Sequence, residues 1–273
     1  MRKSKVCLVL TSAIPTHSWE FGEKALGILY AGDPRLRPDR VGLDDTDLRK
    51  KLPCAMVQDL RPLWASGPGA GQGEGVPTEA LSDLFWRRWK PLQAEGTFGQ
   101  TWVNQKGSTL PSWVHLSSNF RPDIDFLSLF REWCLLYTPD QAYLHMFGPE
   151  ELAVDTSYTL TIEEVRNGTR TPEMLQKDAW RTFKLGSFGA LWDQKRYNLG
   201  AINYFPPGFL SPDTVSSLQG QGLSVDDLGG GTLLWLCETL QDVKDDFPEF
   251  SRKRALAKQI IGPDLFEIRD EPA

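Results

Sequence analysis

The chain has 273 residues, 40% apolar and 24% charged, with 30 Lys and Arg against 36 Asp and Glu, a net charge of -6. With 14 Phe and 10 Trp, this is the composition of a folded chain, long enough for one large domain or two ordinary ones. No apolar run approaches the roughly 18 residues of a membrane span, and the acidic balance argues against the basic face that duplex phosphates require.

Residues 5–12 read as a buried first strand, the run Val6 to Leu10 being short for the apolar part of a secretory signal. Residues 18–30 carry Trp19, Leu26, Leu29 and Tyr30 on a helical stripe, with Ser18 as its cap. After a polar stretch, residues 54–60 suggest a short strand. Residues 66–77 are glycine-rich and read as a flexible loop; they lack the G-x-G-x-x-G spacing of a nucleotide site. Leu81, Leu84, Phe85 and Trp89 fall on one helical face, which predicts a helix from Pro77 to Lys90. Gln100 to Gln105 and Ser112 to Leu116 suggest a hairpin turned at Lys106 to Ser108.

The segment 122–137 gives the clearest helix, capped by Asp123 and stopped by Pro139. Gln141 to Phe147 follows as a strand. Short helices are expected around 161–166 and 171–178, then a strand from Gly200 to Phe205. Ser211-Pro212 opens a helix closed by Gly220. Gly229 to Gly231 leads into a strand from Leu233 to Cys237. Asp246-Phe-Pro-Glu249 is a capping box for a helix to Ile261, which Gly262-Pro263 ends. A last short strand is expected at 264–268. Irregular alternation without a fixed repeat predicts an α+β fold, mixed or antiparallel sheets covered by helices. It forms one unit, or two subdomains split near 148 or at the glycine loop.

The residues that can carry chemistry are few. His17, His115 and His145 share no metal-ligand spacing. A Cys134, His145 and Asp140 set is imaginable for nucleophilic catalysis, but Cys134 lies on the apolar face of a predicted helix, where a thiol is inert. Asp123 and Asp125 form a lone D-x-D, the one pattern that would serve a metal-dependent hydrolase or transferase. The glutamate pairs Glu150-Glu151 and Glu163-Glu164 read as solvated helix faces. No cofactor is expected. The four cysteines are widely spaced, which favours a reducing cytoplasm. The acidic groups stand out as a set: Asp44, Asp45 and Asp47; Asp226 and Asp227; Asp242, Asp245, Asp246 and Glu249. Such a surface steers a basic partner, although carboxylates also serve solubility and helix caps. Trp19, Trp86 and Trp192 are candidate interface anchors.

Gly200 to Phe205, the glycine turn 229–231, the strand Leu233 to Cys237 and the helix from Phe247 together resemble immunity-protein family 52. The helix Phe126 to Tyr137 with Pro139 to Ala142 resembles that family's middle segment. The resemblance implies an α+β fold and a role in binding rather than catalysis. It implies a cognate toxin of the restriction-endonuclease-like class, in bacterial polymorphic toxin and type VI secretion systems. It supplies no interface residues, so the acidic groups are the candidates for toxin contact. The alternatives are a secretion adaptor or chaperone for a toxin, and the metal-dependent hydrolase built on Asp123 and Asp125.

Overall fold

The computed structural model describes residues 4–44, 47–66, 82–103, 109–158, 170–186 and 195–272. Its centre is β1 (Lys5–Ser12). The unbroken run Val6 to Leu10 is buried on both faces, as a strand flanked by neighbours and covered by helices must be. On either side lie β7 (Ser112–Asn119) and β8 (Gln141–Phe147), both antiparallel to β1, with Cys7 opposite Ser117 on one and His145 on the other.

Beyond β7 come β4 (Ala94–Gly99), β3 (Leu84–Arg88) and the three-residue edge strand β2 (Arg40–Gly42). Beyond β8 come β9 (Ile202–Phe205), β11 (Gly231–Trp235) and the opposite edge strand β10 (Ser224–Leu228). The order is β10-β11-β9-β8-β1-β7-β4-β3-β2, antiparallel at every step. This is the expected α+β fold, and the sheet runs without a break across residue 148. A separate ladder joins β5 (Trp102–Val103) to β6 (Thr109–Leu110).

The two-residue alternation of strand side chains sorts the core into two layers. Val6, Leu8 and Leu10 of β1 share a face with Ala142, Leu144 and Met146 of β8. Helices α1 (Trp19–Ala31) and α2 (Phe126–Tyr137) cover that face. The Trp133 indole N–H donates to the Ala25 carbonyl at 2.9 Å and joins the two. Gly22 lets α1 approach closely, because a Cβ there would lie 2.5 Å from the Trp64 ring. Cys7, Val9, Tyr143 and Phe147 point to the other face, where they meet Ala179, Trp180 and Phe183 of α4 (Pro172–Lys184). The short α3 (Pro149–Ala153), α5 (Pro212–Gly220), α6 (Asp242–Asp245) and α7 (Phe247–Ile261) complete the helices of the described residues.

Several local expectations are corrected. Leu84 to Arg88 is a strand, not part of a helix to Lys90: Leu84 and Trp86 are buried by alternation while Trp89 is half exposed, so the helical spacing of these apolar residues was coincidental. Residues 67–81, with the glycine-rich loop and the start of that expected helix, lie outside the described residues, as do the hairpin turn and 161–166. Val57–Leu60 forms a 3-10 turn instead of a strand, and Asp59 accepts the Met56 N–H at its start. The tail expected as a strand at 264–268 forms a 3-10 turn at Pro263–Leu265 and one parallel bridge from Phe266 to Arg196. The cap of α2 is Asp125, which accepts from the Ser128 amide at 2.9 Å, rather than Asp123.

Candidate functional site

The acidic residues are not gathered into one surface. Asp44 and Asp47 follow the edge strand β2, and Asp226 and Asp227 lie on the opposite edge strand β10, eight strand spacings away, about 38 Å. Asp44 accepts the Asp47 amide at 2.7 Å, and Asp47 is held by Lys50 at 2.6 Å, so this pair shapes a turn. Asp45 lies outside the described residues. The carboxylates between residues 242 and 249 lie on α6, which packs beside β8, and at the start of α7. Asp242 accepts from Thr239, Asp245 from the Gln241 amide, and Asp246 from the Glu249 amide as the cap of α7. Glu249 completes no capping box; it pairs with Arg252 at 2.7 Å. Asp226 and Asp227 are exposed and have no ion-pair partner among the described residues.

Asp123 and Asp125 are both occupied with structure. Arg35 bridges Asp33 at 2.6 Å and Asp123 at 2.7 Å, and its guanidinium holds the Asp123 carboxyl below the usual range. Among the described residues, no three His, Cys, Asp or Glu side chains are disposed to hold a metal ion. Cys134 is buried among apolar side chains on the α2 face of the sheet, and burial pushes its thiol well up. His145 points to the other face, so sequence proximity brings the two no closer. Burial lowers His115 to about 4. His17 is exposed and Trp19 half-buried, whereas Trp86 is buried core rather than an interface anchor. Glu163, Glu164 and Trp192 lie outside the described residues.

The most organised polar cluster is inside the protein. His145 stacks between the rings of Phe183 and Phe250, with centroids 5.6 and 5.5 Å away. Its Nδ1 accepts the Ala201 amide at 3.2 Å. The Nε2 therefore carries the proton and donates it to Glu151 Oε2 at 2.8 Å. Arg254 donates to Glu151 Oε1 at 2.7 Å and reaches Glu271 at 2.5 Å, while Lys258 reaches the same Glu271 and donates to the Ile268 carbonyl at 2.8 Å. The side chains of His145, Glu151 and Arg254 have no exposed surface. One network thus fastens β8, α3, α7 and the C-terminal tail.

Glu151 was expected on a solvated face and is instead the hub of this network. The sequence signal was on α7: Arg254 and Lys258 share the spacing of Phe247, Phe250 and Ala257, so two cations occupy inward positions of an apolar stripe. Buried cations there require buried anions.

Burial pushes the Glu151 carboxyl up, but the charge of Arg254 and hydrogen bonds from His145 and Arg254 overcome it, lowering it from 4.5 to about 2. A lowered folded-state value stabilises the fold above pH 4.5, and that stability is lost as the pH falls through 2. Urea unfolding midpoints measured from pH 5 to 2 should therefore fall, and fall less steeply in Glu151→Gln. Parallel slopes would show that Glu151 is not the titrating group.

No protein-family model and no curated protein matches the chain. Among solved structures, the Pseudomonas aeruginosa T6SS protein PA0821 is similar, with a TM-score of 0.52 and 12% identity. The match covers 95% of this chain and 72% of that one. The likeness is one of fold.

Proposed function

We propose that this chain is an immunity protein associated with type VI secretion, which binds a cognate secreted toxin of the nuclease class and neutralises it in the producing cell. The observation that carries this reading is the fold shared, over 95% of the chain, with a protein described as belonging to the type VI system. The resemblance of residues 200–205 and 229–237 to immunity-protein family 52 points the same way and supplies the toxin partner.

The strongest polar cluster is sealed within the fold and ties elements together, so contact with a partner falls to exposed side chains. The open carboxylates Asp226 and Asp227 support a basic contact surface on the toxin, because a nuclease holds anionic DNA and a cleft suited to phosphate attracts carboxylates by long-range fields. Asp242, Asp245 and Asp246 are engaged in local hydrogen bonds beside β8 and at the cap of α7, and Glu249 is paired with Arg252. Asp44 and Asp47 lie too far from Asp226 and Asp227 to join them in one compact contact.

Toxin growth inhibition in cells that co-express the chain tests the reading: wild-type chain should restore growth, and the two proteins should co-purify one to one. A chain that binds the toxin without blocking DNA cleavage would instead be a carrier. The Asp226→Lys, Asp227→Lys double variant should associate about tenfold more slowly at low salt, with the difference fading as salt rises. Unchanged association would remove the β10 carboxylates from the interface and leave the inhibitor reading standing.

A further inference from the structure

A groove of about 640 Å³ crosses one end of the sheet. Its lining includes Leu92 just before β4, Asn119 at the end of β7, Ser4 just before β1 and Pro149 just after β8. Those four strands are neighbours in the sheet, so the groove runs across three strand spacings, about 14 Å. Backbone hydrogen bonds from Phe120 to Ser4 and from Asn119 to Gln93 tie its floor together. Phe120 and Leu152 supply partly exposed apolar wall.

Two cations line the groove from different elements. Arg121 follows β7, and Lys244 is on α6, which packs beside β8. Neither has a salt-bridge partner among the described residues. On α6, Asp242 accepts from Thr239 and Asp245 from the Gln241 amide, and neither forms an ion pair with Lys244. β7 and β8 are two spacings apart, about 10 Å, with Arg121 following the first and Lys244 on the helix beside the second.

An apolar trough between two unpaired cations is complementary to an apolar group between two anions. A small carboxylate would fill only part of its length, whereas an extended chain rising about 3.3 Å per residue places roughly four residues along it. We infer that this groove binds an extended segment of a protein partner, with an apolar side chain between two acidic side chains two or three residues apart. The inference is independent of the reading of Asp226 and Asp227 as toxin contacts, which are on β10 and attract the opposite charge.

The test is binding of the full chain to synthetic eight-residue peptides. In these, two glutamates flank leucine and glycine at separations of one to five positions, and octanoate serves as a small anionic probe. Separations of two or three should bind tightest, and Glu→Gln peptides of the same spacing should bind about tenfold more weakly. The Arg121→Glu, Lys244→Glu variant should lose that preference while its unfolding midpoint stays close to that of wild type. Binding with no dependence on spacing or on the two cations, or no binding by any peptide, would overturn the inference. Octanoate binding that depends on Arg121 and Lys244 while the peptides fail would identify a small-molecule carboxylate site instead.

Discussion

Arg254→Met is expected to lower the folding stability by about 3–5 kcal/mol, the cost of breaking a buried ion pair by removing one partner. The guanidinium has no exposed side-chain surface, donates to Glu151 at 2.7 Å and forms an ion pair with Glu271 at 2.5 Å. Methionine preserves much of the packing against Phe250, whose ring centroid is 4.8 Å from the guanidinium, but leaves two carboxylates facing an apolar side chain. For a chain of this size the loss corresponds to a Tm lower by roughly 10 °C. Adding Glu151→Gln to Arg254→Met should cost less than the sum of the two single changes, because the second removes a charge the first has orphaned. Urea unfolding of the four proteins measures this; a loss under about 1 kcal/mol for Arg254→Met would show that the network contributes little.

The second large effect is expected at Trp133. Its side chain is fully buried, its N–H is donated to the Ala25 carbonyl, and its ring meets Phe98 of β4 edge-on at 5.7 Å. Trp133→Ala opens a cavity where α1, α2 and the sheet meet, and should cost about 3–5 kcal/mol. Trp133→Phe keeps most of the apolar volume and loses the indole donor, so its cost should be well under half of that. Equal effects of the two substitutions would place the energy in the hydrogen bond rather than in the packing.

The parts of the fold legible in sequence were those where a local signal and burial coincide. The run Val6 to Leu10 became the central strand, α1, α5 and α7 were found where Ser18, Ser211 and Asp246 do cap helices, and α2 was found by its apolar stripe. Reading failed where pairing with distant strands sets the structure. Leu84 to Arg88 has apolar spacing compatible with a helix, and only its pairing with β4 and β2 makes it a strand. The candidate site was legible as a list of carboxylates but not as a surface, because the strand order that puts Asp44 and Asp227 on opposite edges is not written in local spacing. Glu151 was missed because its partners, His145 and Arg254, lie on other elements, the latter 103 residues away.

The proposed immunity function requires that the chain hold a toxin. Its most direct test is affinity capture of the tagged chain from its own host, with mass spectrometry of the eluate and a DNA-cleavage assay of the recovered partner. One nuclease-like protein is expected in a one-to-one complex, inactive while bound and active once the chain is removed. Recovery of no such partner, or of one that cleaves DNA equally well with the chain attached, would contradict it.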